Sequence, residues 1–392
     1  MKNLLKRKAE NKKAEAGFSM MELLVVMVIM LVIMAAVFTL LRGTITTATA
    51  NYELTTASQS LRNAQEFVNR DILVAGDGFK GVSNVWLPTK FVTDYLTART
   101  ASALDPSGIG YISVGAIISD FNVPANVNVK GANPATKVKA RTDRLTVFAV
   151  DPNFSAIDVP AGGVNLNTGQ INVPATRIGD FKVGEVYYIT SGGTGAFGAV
   201  TRIDGAANRI FWEEGDALAL NRLGTTGLLG VGTNGGASAA SLRRVQIVHY
   251  FVDENQILIR RVFGIQGAGF IDSVIAEHVK FLNFSYILKP SVDGTILDQP
   301  RTQLDLSDAS LVRMIEPSFK VETAYPLQDG IKHEIEGISR VGVRNIQFLE
   351  APVPRDYQGN TGLPNPGPTP VITPTPTPTP TPIPPPPPTP TP

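Results

Sequence analysis

The sequence predicts an α+β protein: a long N-terminal α-helix packed on a mainly antiparallel β head, with a Pro/Thr-rich C-terminal tail. Three observations predict it. Residues 23–41 form an uncharged apolar run of 19 residues. Apolar residues then recur mostly at three- and four-residue spacings as far as Ala75, the period of one helix face. Beyond about residue 80 the period changes to two, broken by turn residues, and no long helical pattern returns.

Composition narrows the class. The chain of 392 residues is 43% apolar and 18% charged, a globular composition with room for two or three domains or one large one with appendages. Its net charge is +1, so no global field draws it onto nucleic acid. The absence of cysteine excludes disulfide frameworks, thiolate zinc sites, cysteine nucleophiles and a cysteine lipid anchor.

The elements follow in order. Residues 1–17 are a basic segment with six Lys/Arg and two Glu. The apolar run after it spans about 28 Å as a helix, close to the hydrocarbon thickness of a bilayer. It exceeds the usual h-region of a secretory signal. The basic flank belongs on the cytoplasmic side, which puts the remainder across the membrane. The helix is expected from Phe18 to Ala75, with 18–42 in the membrane and 43–76 as an amphipathic continuation. Its docking face is expected to be Ile45, Ala48, Tyr52, Ala57, Leu61, Ala64, Val68, Ile72 and Ala75, with a Glu66–Arg70 pair on the other side. Six threonines between 44 and 56 make a weak junction where a bend or partial melting is expected, and Gly76 and Gly78 end the helix.

The head is expected over 77–350. Strands are predicted at 111–118, 144–150, 185–190, 208–213, 243–252, 256–263, 279–288, 311–323 and 338–349. Asp253-Glu254-Asn255 links two of them as a hairpin. Leu282, Phe284, Tyr286 and Leu288 mark the buried face of another. Loops at 153–176 and 223–240 are read as long, and 180–240 as an inserted β subregion. The tail, 351–392, is expected to be disordered, its Pro-Thr repeats at 364–392 extended as polyproline II; 16 of the 29 prolines lie in 363–392.

The segment Ala16-Gly17-Phe18-Ser19-Met20-Met21-Glu22-Leu23-Leu24 places a small residue before an aromatic one and a glutamate four positions later. With the basic leader and the apolar run, it resembles the class III signal of type IV prepilins and type II secretion pseudopilins. Met20-Met21 departs from the commoner Thr-Leu/Ile pair. The resemblance implies that a prepilin peptidase cuts between Gly17 and Phe18 and N-methylates Phe18. It also implies that Glu22 pairs with the Phe18 amine of a neighbouring subunit. Two ordinary readings stand beside it: an uncleaved signal anchor, and a secretory signal cut near Ala48-Thr49-Ala50. Ser60-Leu61-Arg62 with Asn69-Arg70-Asp71-Ile72, the hairpin His249–Val252 to Leu258–Arg261, and the strand Val279–Tyr286 resemble PilW-like minor pilins. The hairpin is also similar to that of the large minor pseudopilin J of type II secretion.

Catalytic and ligand motifs are sparse. His249, His278 and His333 are read as structural or surface residues; His333-Glu334-Ile335-Glu336 lacks the second histidine of a zinc-protease helix. Gly193–Gly198 matches G-x-G-x-x-G, but a strand rather than a helix follows, so a β turn is expected. Asp71, Asp77, Asp253 and Glu254 are acidic positions without calcium-loop spacing. Arg243-Arg244 and Arg260-Arg261 form a small basic patch only if both pairs share a face.

The expectation is therefore an assembly protein, not an enzyme, with no cofactor and no metal. It would be a single-pass inner-membrane chain with its head outside the cytoplasm, later part of a pilus or pseudopilus. Its partners would be the prepilin peptidase, other major and minor pilins or pseudopilins, and the inner membrane, with no nucleic acid expected.

Overall fold

The computed structural model describes residues 19–79, 84–130, 137–224, 226–264, 269–288 and 300–343. The basic segment, Gly17, Phe18, residues 344–349 of the last predicted strand and the whole tail lie outside the described residues.

Helix α1 runs unbroken from Met20 to Leu73, 54 residues. The melting expected at the threonine-rich junction does not occur. Thr39, Thr44, Thr47, Thr49 and Thr55 each donate their hydroxyl to the carbonyl four residues earlier, at 2.7–3.0 Å. These bonds satisfy the hydroxyls on the helix's own carbonyls, and the helix continues through them. The helix stops at Val74, and Gly76 and Gly78 take φ of 78° and 80°. A Cβ on Gly78 would meet the Val150 side chain at 2.4 Å, so the stop also needs a residue without a side chain.

The strands follow as β1 (Asn84–Pro88), β2 (Tyr111–Val114), β3 (Ile117–Asp120), β4 (Arg144–Val150), β5 (Ile157–Val159), β6 (Val164–Asn165) and β7 (Gln170–Asn172). After them come β8 (Val186–Ser191), β9 (Thr194–Ala199), β10 (Arg202–Asp204), β11 (Arg209–Phe211), β12 (Ala240–Val252) and β13 (Leu258–Phe263). The last are β14 (Phe270–Ala276), β15 (Val279–Leu288), β16 (Val312–Glu322), β17 (Glu334–Ile338) and β18 (Val341–Gly342). Nearly all pairings are antiparallel; β1 with β9 is parallel.

The 13-residue β12 organises the head. Its first half pairs with β8 and β5, its second half with β4 and β13. Strands β8, β9, β1 and β2 extend one side, and β14 closes the other. The predicted strand 111–118 is two strands with different partners: β2 pairs with β1, and β3 with β4. The stretches read as long loops hold β5, β6 and β7 and a helical turn at Leu228–Gly232. Strands of two or three residues carry too little alternation to be seen. A small sheet, β10-β11-β7-β6, packs its Ile171 and Ile210 with Trp212, Tyr187 and Ile189.

The third sheet is β15-β16-β17, with β18 also on β16. Leu282, Phe284, Tyr286 and Leu288 are buried as the alternation predicted. The upper part of α1 lies between this sheet and the β4–β12 face. Ala57, Leu61, Ala64, Val68 and Ile72 share one core with Val147, Val248, Tyr250, Phe284, Ile315 and Phe319.

Candidate functional site

The candidate site is the start of α1 together with the surface it leaves exposed. Ser19 has extended backbone (φ −65°, ψ 139°) and caps the helix. Its backbone N–H donates to Glu22 Oε2 at 3.0 Å, while its Oγ accepts from Met21 N at 3.3 Å. This reciprocal cap stabilises a helix start by about 1 kcal/mol. Glu22 thus sits in the first turn, at the positive end of the helix dipole. Gly17 and Phe18, the two residues of the expected processing site, are outside the described residues.

From Leu23 to Leu41 the helix is apolar all round and, among the described residues, packs on nothing. The most apolar 18-residue window has a mean hydropathy of 3.1 and no buried part. Transfer of so many Leu, Val, Ile and Met side chains out of water is worth on the order of 30 kcal/mol. Among the described residues nothing supplies that cover, so lipid or neighbouring helices must.

The docking face begins later than the periodicity predicts. Ile45 and Tyr52 are 56% and 69% exposed, and Ala48 is exposed as well. Contact with the head starts at Glu53, and here two carboxylates enter the interface. Glu53 accepts from Ala324 N at 3.1 Å and Tyr325 N at 3.4 Å. Asp71 accepts from the Tyr250 hydroxyl at 2.6 Å and from Arg260 Nε at 2.6 Å. Burial, then the Asp71 carboxylate beside it, pushes the Tyr250 phenol well above its ordinary range and keeps it a donor. Sequence reasoning missed both acids as docking residues, because an acid on an amphipathic helix reads as solvent-facing. The one available signal was their spacing of 18 residues, five helical turns, which puts them on one face. Arg70 lies over the Phe67 ring at 4.8 Å and 3.7 Å from Asp71, not against Glu66.

The remaining candidates are placed as follows. Asp71 is committed to Arg260 and Tyr250. Asp253 accepts from Ile257 N at 2.8 Å and shapes the hairpin turn. Among the described residues no group of three or more His, Asp or Glu has metal-holding geometry. The arginine pairs do not form a basic patch. Arg244 pairs with Asp151 and Glu185, Arg260 with Asp71, and the fully buried Arg261 with Asp272. His249 is buried, its Nδ1 2.9 Å from the Thr146 hydroxyl. Burial, then Arg144 and Arg261, holds its pKa well below the ordinary value, so the imidazole is neutral. His278 occupies the turn between β14 and β15 with φ 57°, and His333 Nε2 lies 2.7 Å from Asp329 Oδ2. Gly195 and Gly198 lie within β9. A Cβ there would meet Tyr188 at 2.2 Å and Trp212 at 2.1 Å, so these glycines admit aromatic rings, not a phosphate.

Residues 12–38 match the family model of the prokaryotic N-terminal methylation motif. The chain carries the signal of a type IV pilin-type precursor. No curated protein matches the chain. The motif match covers the end of the basic leader, Gly17, Phe18, the Ser19–Glu22 cap and most of the apolar run. For such a precursor the expected processor is the prepilin peptidase and the expected partners are other pilins. The single apolar helix suits a membrane-anchored chain.

Proposed function

We propose that this precursor is a minor pilin, cut between Gly17 and Phe18 and N-methylated on Phe18, that primes or caps a type IV pilus. The observation that carries the reading is the division of α1. Its first half offers an apolar helix with no cover of its own, and its second half is fixed to a large three-sheet head. A head of this bulk suits one position at an end of a filament better than dense repetition along it. A minor pseudopilin of a type II secretion system shares all these features, the β12–β13 hairpin included, and is the second reading. A membrane-anchored exported enzyme or binding protein is the reading of another class. It would need convergent acid, base or nucleophile groups, whereas His249 is enclosed beside Thr146 and Arg261.

The chemistry centres on Glu22. A carboxylate within a membrane helix costs on the order of 2.5–3.5 kcal/mol unless it is paired. In the uncut chain the Ser19 N–H meets one oxygen. Cleavage before Phe18 creates a cationic amine four residues from Glu22, and methylation keeps its charge. Between subunits the amine of one and the Glu22 of the next would set axial register, since a mispaired charge in an apolar core stays uncompensated.

Mass spectrometry of the mature N-terminus is expected to find N-methyl-Phe18, and Gly17→Leu to leave the precursor uncut. A start at Asn51 or an intact Met1 would reject the reading. Glu22→Ala is expected to leave membrane insertion and cleavage intact while recovery with the filament, or filament number, falls. Normal filament counts and normal recovery would reject the register role. Co-purification of the processed chain with pilus or with secretion-system subunits separates the two assemblies.

A further inference from the structure

We propose that the tip of the β16–β17 hairpin rests in the phospholipid headgroup layer while α1 spans the bilayer. The inference depends on the membrane-spanning reading of α1 and adds a second, peripheral contact to it. Three contacts fix the direction of the hairpin. Glu53 holds Ala324 N and Tyr325 N. A Cβ on Gly337 would lie 2.8 Å from Gln65 and 3.0 Å from Leu61. Ser339 Oγ donates to Asn69 Oδ1 at 2.9 Å. Strand β17 therefore climbs α1 away from the apolar run, and the turn between β16 and β17 points toward it.

The heights agree. Leu41, the last residue of the apolar run, and Glu53 are about 18 Å apart along a helix rising 1.5 Å per residue. The hairpin continues past the Thr323–His333 pair, closed by Leu327 N to Ile331 O at 2.9 Å and Gly330 N to Leu327 O at 3.0 Å. Two further residues and the turn reach about 10 Å lower at strand spacing. That leaves about 8 Å to the hydrocarbon edge, the outer limit of a headgroup region roughly 5–8 Å deep on each side. Helix tilt shortens the gap.

The large apolar side chain nearest that layer is Ile331, 62% exposed, whereas Tyr325 and Tyr52 stand at the height of Glu53, above it. The turn is held by its own bonds, Ile331 N to Asp329 Oδ1 at 3.0 Å and His333 to Asp329 at 2.7 Å. Lys332 is paired with Glu322. Ile331 is thus presented outward on a preformed turn. The occupant is a lipid surface and not a second subunit, because the unbroken helix that enters the bilayer also sets the hairpin's height above it.

The chain has no cysteine, so a single introduced one takes a nitroxide label uniquely. Ile331→Cys, Val32→Cys and Ala206→Cys chains are reconstituted alone, at low protein density, in phosphatidylethanolamine/phosphatidylglycerol vesicles. Label collision with oxygen, which concentrates in lipid, is compared with collision with a water-soluble nickel chelate. Val32 reports insertion, and Ala206, exposed in the β10–β11 turn, reports water. The Ile331 label is expected to show at least about a twofold lower nickel-to-oxygen ratio than Ala206, with Val32 lower still. Val32 in lipid with Ile331 indistinguishable from Ala206 overturns the hairpin contact alone. Val32 in water overturns the membrane reading and the contact with it. Shielding of Ile331 that appears only when other subunits are added assigns the tip to a protein partner and overturns the proposal.

Discussion

Residues 20–52 and 53–73 of α1 belong to one continuous helix, yet they meet different surroundings. The lower part exposes nearly every side chain, including large ones such as Leu31 at 70% and Leu40 at 73%. The upper part buries a stripe that is narrow and mixed: small residues at Ala57 and Ala64, branched ones at Leu61, Val68 and Ile72, and a carboxylate near each end. Apolarity is greater where burial is absent. Hydropathy therefore reports the medium a segment is built for, and charge at an interface reports where two parts of one chain are joined. A helix meant for lipid needs no specific partner, whereas a helix joined to a head in one register needs directional contacts.

The largest expected effect tests the joint. Asp71→Ala leaves Arg260 without its carboxylate and Tyr250 without its acceptor, and is expected to destabilise the head by about 3–5 kcal/mol. Urea unfolding of the detergent-solubilised chain, followed by Trp86 and Trp212 fluorescence, measures it. A loss below about 1 kcal/mol would show that the carboxylate is dispensable for docking. A matched pair of truncations comes next. Leu61→Ala, in the core shared by α1 and the third sheet, is expected to cost about 2–4 kcal/mol. The same change at Leu31 is expected to leave the unfolding midpoint unchanged. Equal effects at the two positions would erase the distinction between the halves.

The third and smallest effect is a pH dependence in the grip on the upper half. Asp143 joins the two walls around α1: its N–H donates to Leu282 O at 2.8 Å, and its carboxylate accepts from Phe284 N at 2.9 Å and Asn122 N at 2.8 Å. Burial, with the Asp120 carboxylate adding to it and the two N–H groups opposing, raises its pKa from 3.8 to about 6. The folded state then binds the proton more tightly than the unfolded state. This group's contribution is present below about pH 4 and is lost as pH rises to about 6, a change of up to about 3 kcal/mol. Asp143→Asn is expected to remove that slope, so the wild-type-minus-variant stability should fall between these pH values. A flat difference in urea midpoints across the range would reject the assignment.

Much of this molecule was legible in local patterns. The α-helical period carried α1 to its glycine stop, and the period of two located β4, β12, β13, β15 and β16 to within a few residues. The precursor signal was readable because its parts are adjacent in sequence: Gly17, Phe18, Glu22 and the apolar run need no tertiary contact to be recognised. Residues 111–118 were read as one strand because alternation continues through Gly115-Ala116, although the partners change there.

What only the tertiary structure decided is where the helix leaves the head and what holds it there. Ile45, Ala48 and Tyr52 continue the same apolar stripe as Ala57 and Leu61, and nothing local distinguishes them. The difference is that Ala324 and Tyr325 reach the helix at Glu53 and no lower. Likewise Asp71 becomes a docking group only because Tyr250 and Arg260, 179 and 189 residues away in sequence, are brought to it by the β12–β13 hairpin. Periodicity is a property of neighbours along the chain and is written in the sequence. The partner of a buried charge is set by which distant strands the packing brings together, and that choice exists only in the folded molecule.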